Sequence, residues 1–283
     1  MLKPLLAACL LLTAATASAV TFRAGIETSR WDLESSKFMC RLSQQIPTFG
    51  IGTFEHEAGE RVRFVLQPTD QAHFNKGAEL IAEAAPWQPG ITPRQLGVVE
   101  RDHDGRLQVA NPQAELMLAS LHKGMYPTFF TDGWYGTEEP LRVGLSAVNF
   151  QSVYADYVNC VAGLLPVNYH QVARTAILFP SAQWRLSDAS KERLDKIALY
   201  VKSDNSVHSV YVDGHSDGQG RRLFNRDLSK RRAEAVTEYL KSKGLDEAML
   251  ITRFHGERYP VKQNNSKSNR ARNRRVTIRL ERE

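Results

Sequence analysis

The chain has 283 residues, 42% apolar and 24% charged, enough to bury one large or two medium cores. That mixture excludes disordered, collagenous and polytopic membrane chains. The formal charge of +6 is unevenly placed: residues 1–168 carry 13 Lys and Arg against 17 Asp and Glu, whereas residues 169–283 carry 24 against 14, so the second half suits an anionic partner and the first does not.

In chain order, Lys3, the apolar run Leu5–Ala15 and the small triplet Ala17-Ser18-Ala19 read as a secretory signal peptide over residues 1–19, leaving a mature chain from about Val20. Leu6-Ala7-Ala8-Cys9 spells a lipoprotein cleavage site, but only five residues precede it and the apolar core continues past Cys9. The run is short of the ~20 apolar residues a membrane span needs. No later window is apolar enough either, so no integral span is expected in the mature chain. Export also argues against nucleic acid as the partner of the Arg-rich C-terminus. Loss of the leader removes Cys9 and leaves Cys40 and Cys160, which are predicted to pair in an oxidising compartment and to close a loop of about 120 residues.

From Val20 to about Asn168, short apolar stretches broken by Gly, Pro and Asp predict a mostly antiparallel β domain with one or two helices. Arg61–Leu66 and Leu141–Leu145 read as strands, and Gln113–His122 and Phe150–Leu165 as helices, with Cys160 on the second. His56, His73, His103 and His122 lack metal-ligand spacing, so neither a metal nor a cofactor is expected. Asp102, His103 and Asp104 read as a turn closed by Gly105.

Residues 169–283 alternate in β-α-β-α-β order, which makes the chain α+β, with helices on one face of a small mixed sheet in this half. Thr175–Phe179 is a strand; Ser187 and Asp188 cap a helix carrying Leu194, Ile197, Ala198 and Val201; Val207–Asp213 returns as a strand. A second helix runs from about Arg226 to Lys243, with Gly244 at its left-handed C-cap, and Val276, Ile278 and Leu280 alternate in a last strand.

Four blocks surround that second helix: Gly214-His215-Ser216-Asp217, Asn225-Arg-Asp-Leu228-Ser229-Lys-Arg-Arg232-Ala233, Gly256-Glu-Arg-Tyr-Pro260 and Asn269-Arg-Ala-Arg-Asn273-Arg274-Arg275-Val276. In this order and spacing they resemble the OmpA-like peptidoglycan-binding domain. The resemblance implies that Asp217 takes the ammonium of a diaminopimelate in a wall stem peptide, while Arg232 takes the neighbouring carboxylate through two parallel hydrogen bonds. It also implies that Asn225 holds the ligand or the start of the helix, and that Arg274 adds a second carboxylate contact. One departure stands out: the family places an acidic residue just after the first strand, where this chain has Pro180 and Ser181.

A hydrolase motif overlaps the same place, since Gly214-His215-Ser216-Asp217-Gly218 spells G-x-S-x-G, with His255 as a base and Asp227 or Asp246 as its acid. It lacks the required context, because a loop rather than a helix follows and only 65 residues remain. The chain is therefore read as non-enzymatic.

The front half also carries a resemblance. The Cys40-to-Cys160 spacing, Ala85-Pro86-Trp87-Gln-Pro89-Gly90, Lys123-Gly-Met-Tyr126-Pro127-Thr-Phe-Phe and Leu145-Ser-Ala-Val-Asn-Phe150-Gln151 resemble the MotY family of periplasmic flagellar T-ring proteins. This resemblance covers essentially the whole mature chain, as residues 20–168 and an OmpA-like domain over residues 169–283. It implies a component that binds peptidoglycan, contacts basal-body ring proteins and the stator B subunit, and keeps stator units around the rotor. Trp87, Tyr126, Phe129, Phe130 and Trp134 are candidate anchors for the protein partner. The alternative is an OmpA-like tether from envelope to wall with no motility role.

Overall fold

The computed structural model describes residues 19–70, 74, 77–85, 87, 88, 90–133 and 139–283. The leader up to Ser18, His73 and Trp134 lie outside them. The first half runs β1 (Val20–Arg23), β2 (Trp31–Ser35), β3 (Met39–Ile46), β4 (Gly50–Glu57), β5 (Arg63–Pro68), β6 (Ala78–Glu83), β7 (Arg94–Val99), β8 (Leu107–Val109), α1 (Gln113–His122), β9 (Tyr126–Asp132), β10 (Pro140–Gly144) and α2 (Phe150–Ala162). The second runs α3 (Tyr169–Val172), β11 (Arg174–Leu178), α4 (Asp188–Ser203), β12 (Val207–Gly214), α5 (Arg222–Ser242), β13 (Leu250–Phe254), α6 (Lys267–Asn273) and β14 (Arg275–Arg282). These residues form two compact units, one of residues up to Leu33, Arg41–Glu55 and Val62–Tyr157, the other of Glu34–Cys40, His56–Arg61 and Val158–Glu283.

The first unit contains two five-stranded sheets, ordered β1-β10-β9-β6-β7 and β2-β3-β4-β5-β8. Period-two patterning builds them: along β3, Leu42, Gln44 and Ile46 are buried and the residues between them are not. Phe64 of β5 stacks on Phe129 of β9 at 5.7 Å, so an aromatic core joins the sheets. A buried amide sits in it without cost because both ends are satisfied: Gln44 Nε2 donates to Ser29 Oγ and the Ser146 carbonyl, and Gln44 Oε1 accepts from Ser146 N. Of the expected anchors, Tyr126 and Phe129 belong to this core and Phe130 is half-buried, whereas Trp87 is 52% exposed. The Asp102 turn forms, its Oδ1 accepting from the backbone N–H groups of Asp104 and Arg106.

In the second unit one sheet, ordered β11-β14-β12-β13, carries α4 and α5. Leu194, Ile197, Ala198 and Val201 from α4 and Ala233, Val236 and Leu240 from α5 bury against Ile177, Val210, Val212, Val276, Ile278 and Leu280. Ser187 caps α4 by accepting from Ser190 N, and Gly244 takes the left-handed conformation (φ +89°) after α5. Ala58, Leu165 and Val167 complete this core, and Cys40 and Cys160 are joined in a disulfide within the unit.

Strand β13 and the short helices α3 and α6 escape the sequence reading. Strand β13 pairs in parallel with β12 and is half-buried along most of its length, so it shows no alternation. Helix α6 is short, polar and defined by its cap, Ser266 accepting from Asn269 N. Helix α5 also starts about a turn earlier than its apolar pattern, because Leu223 and Phe224 in its first turn face solvent.

Candidate functional site

The polar residues singled out in the second half converge where β12, α5, the loop after β11 and the segment before β14 meet. Packing there is close: a Cβ on Gly214 would lie 2.2 Å from the Ser229 carbonyl oxygen, so only glycine lets β12 approach α5. Just beyond Gly214, His215, Ser216 and Asp217 are all buried.

Arg232 is fully buried on α5. Its Nε donates to the Gln183 carbonyl at 2.8 Å, Nη1 to the His215 carbonyl at 3.1 Å and Nη2 to the Pro180 carbonyl at 3.0 Å. The guanidinium also lies 5.3 Å from the centre of the Phe179 ring. Burial pushes its proton affinity down to about 10, with Asp217 acting against that and Arg274 with it, so the group stays charged at neutral pH. Three of its five N–H donors thus hold backbone carbonyls. Where the family pattern has an acidic residue after the first strand, this chain presents the carbonyls of Pro180 and Gln183 to the arginine instead. Ala182, between them, holds a left-handed φ of +53°.

Asp217 pairs with Arg274, Nη1 to Oδ2 at 2.9 Å, and its Oδ1 accepts from Gln219 N. Arg274 also donates from Nε to the Phe179 carbonyl. Asn225, buried in α5, donates from Nδ2 to Glu257 Oε2 at 2.6 Å, tying the helix to the loop after β13. The four residues named from sequence therefore occupy one region. Their partners are Asp217 with Arg274, Arg232 with the backbone, and Asn225 with Glu257.

Residues not singled out in sequence support this region. Asn273, fully buried, accepts from Val261 N and Lys262 N and donates to the Lys262 carbonyl and to Asn264 Oδ1, and Asn264 Oδ1 in turn accepts from Gly218 N beside Asp217. Asn273 stands in the fourth sequence block, but nothing in the sequence ties it to Asn264. The hydrolase triad is not assembled: Ser216 Oγ donates to the Asp217 carbonyl, and His255 Nε2 sits 2.8 Å from Asp213.

The His215 ring stacks on His255 at 5.0 Å, and its buried Nδ1 has no hydrogen-bond partner. Burial, reinforced by Arg275 and His255 and opposed by Asp213, lowers its pKa to about 4. An unfolded histidine protonates near 6.5, so between these values the unfolded chain holds the extra proton and acid favours unfolding. From pH 7 to pH 4.5 this one group is expected to remove about 2 to 3 kcal/mol of stability. Denaturant midpoints at both pH values should show that loss in the wild type and a correspondingly smaller one in His215→Phe; parallel losses would exclude it.

Residues 22–166 match the family model described as the MotY N-terminal domain, and residues 178–274 match the OmpA family. The chain is 31% identical over 257 residues to the sodium-type flagellar protein MotY of Vibrio parahaemolyticus, spanning 89% of this chain and 87% of that one. It is 34% identical over 95 residues to outer membrane protein A of Bordetella avium, spanning 34% of this chain and 48% of that protein. A solved structure, the peptidoglycan-associated lipoprotein of Burkholderia pseudomallei, aligns with 38% of this chain and 89% of its own at 26% identity and a TM-score of 0.36.

Proposed function

The chain belongs to the MotY family, and from that premise we propose that it works in the flagellar motor as a non-catalytic periplasmic mounting that keeps stator units around the basal body by holding peptidoglycan. The observation that carries this reading is a similarity running through both halves of the chain to one flagellar protein. In this reading residues 20–168 bind motor proteins, namely basal-body ring components and the stator B subunit, and residues 169–283 bind the wall. A stator that turns a rotor transmits an equal reaction to its mounting, which must therefore couple to a covalent mesh.

Chemically, Asp217 would take the diaminopimelate ammonium, and Arg232 and Arg274 its carboxylate. Asn225 would act through Glu257 by fixing the start of α5. The three carbonyls on Arg232 set a condition. For a carboxylate to reach the guanidinium, the Pro180–Gln183 loop has to move aside, and the left-handed Ala182 makes its present conformation the costlier to hold.

Mature protein is expected to pellet with insoluble peptidoglycan at physiological salt. Asp217→Asn, which keeps the acceptor for Gln219 N but removes the charge, should lower the pelleted fraction at least tenfold. Equal pelleting would remove these residues from the reading. A deletion strain should build filaments yet fail to swim in soft agar; normal swimming would leave only the static wall tether.

A further inference from the structure

The second unit's sheet ends in an edge strand, β11, that among the described residues is paired only with β14. Phe179 N donates to the Arg274 carbonyl and Leu280 N to the Ala173 carbonyl. In that antiparallel register residues 173, 175, 177 and 179 turn their backbone groups toward β14, and Arg174, Ala176 and Leu178 turn theirs away. All three are exposed, Leu178 at 52%. A free edge of this kind offers hydrogen bonds to an added strand about 4.8 Å away, and proteins ordinarily blunt or cover it.

Two clefts flank β11, one on each side of the sheet edge. The first, about 450 Å³, is lined by Arg193, Lys196 and Ile197 of α4 together with β11 itself. The second, about 320 Å³, is lined by Val261, Arg272, Arg275 and Thr277 with β11. Among the described residues no carboxylate lines either cleft. Among the described residues Arg174, Arg193, Lys196, Arg272 and Arg275 form no ion pair, whereas other cations of this unit, such as Lys191, Arg231, Lys243 and Arg274, do.

Arg275 sharpens the point, because it is only 8% exposed and its Nη1 has no hydrogen-bond partner. Its other donors reach Thr277 Oγ1 and the Tyr259 carbonyl. Burial and the like charge of Arg174 disfavour its charge more than nearby Asp213 favours it, and among the described residues Asp213 forms no ion pair with it, so the Nη1 donor is left for a further anion.

We propose that β11 is a docking edge for an extended, acidic segment of a partner protein, which adds as a fifth strand and places carboxylates into the two cationic clefts. Backbone bonds to Arg174, Ala176 and Leu178 supply the affinity, and the arginines and Lys196 select acidic residues on both faces of the added strand. A second copy of the chain suits the edge poorly, since pairing β11 with β11 brings the same five cations together. The inference is independent of the wall site, because it uses no side chain of Asp217, Asn225, Arg232 or Arg274.

The probe is a capped octapeptide, Glu-Glu-Val-Val repeated twice, which puts two carboxylates on each face of a strand, compared with its Lys-Lys-Val-Val counterpart. At low salt the mature full-length chain is expected to bind the acidic peptide and not the basic one, with amide exchange at Arg174, Ala176 and Leu178 slowed at least tenfold. Ala176→Pro removes an N–H that the ladder does not use and should abolish binding while leaving peptidoglycan pelleting unchanged. Arg174→Glu should weaken the acidic peptide at least tenfold, which keeps the test alive if the proline variant misfolds. Equal binding of both peptides, binding without amide protection, or a concentration-dependent dimer that Ala176→Pro dissolves would each overturn the proposal.

Discussion

Arg232→Lys is expected to destabilise the second unit by about 3 kcal/mol or more, despite conserving the charge. Three carbonyls, from Pro180, Gln183 and His215, take their hydrogen bonds from three different nitrogens of one fully buried guanidinium. A single ammonium reaches at most part of that arc, so at least one carbonyl is left buried and unpaired, and a compact, strongly hydrated charge replaces one that tolerates burial over the Phe179 ring. Arg232→Ala removes the charge but abandons all three carbonyls and opens a cavity, so about 3 to 5 kcal/mol is expected there too. Urea unfolding of the full chain measures both. Amide exchange along Pro180–Trp184 should accelerate in each variant, because the arginine is what pins that loop. A lysine variant within about 1 kcal/mol of wild type would show that the loop holds itself and that the arginine is free for a ligand.

Those three backbone ties mark the limit of what the sequence discloses about the site. The resemblance of four sequence blocks to the OmpA-like domain implied that Asp217, Asn225, Arg232 and Arg274 share one region, while hydrophobic period and caps placed only the strands and the helix that carry or flank them. Their partners were not legible. The tie from Arg232 to Pro180 spans 52 residues of sequence, and that from Arg274 to Asp217 spans 57. Side-chain bonds to distant carbonyls leave no periodic trace, and the Asn264–Asn273 brace is silent for the same reason. Elements follow the same rule. Helices α1, α2, α4 and α5 each carry an apolar face and were predicted to within about a turn, whereas the half-buried edge strand β13 and the polar helix α6 were not. The aromatic residues of the front half illustrate the converse: Tyr126, Phe129 and Trp87 look alike as letters, and only packing separates two core residues from one exposed ring.

Replacing Cys40 and Cys160 together by alanine is expected to cost about 4 to 5 kcal/mol, the loop-closure entropy of a bridge between residues 120 apart. Both cysteines lie in the second unit although most of the chain between them does not, so the bond spans a long excursion of chain and constrains the unfolded state strongly. The folded state also depends on it locally. The Glu34–Cys40 segment is held by Leu165 N donating to the Lys37 carbonyl, by Ala58 N donating to the Phe38 carbonyl, and by the Phe38 ring set edge-on to Tyr200 at 5.6 Å. Without the covalent link, the turn between β2 and β3 depends on these ties and on its own Ser36–Met39 hydrogen bonds to stay on the second unit. Amides of Ala58 and Leu165 should therefore lose exchange protection before those of β12, while the denaturation midpoint falls by the full entropic amount. A double variant that loses less than about 1 kcal/mol would mean that the unfolded chain is already compact enough to hold the two ends together.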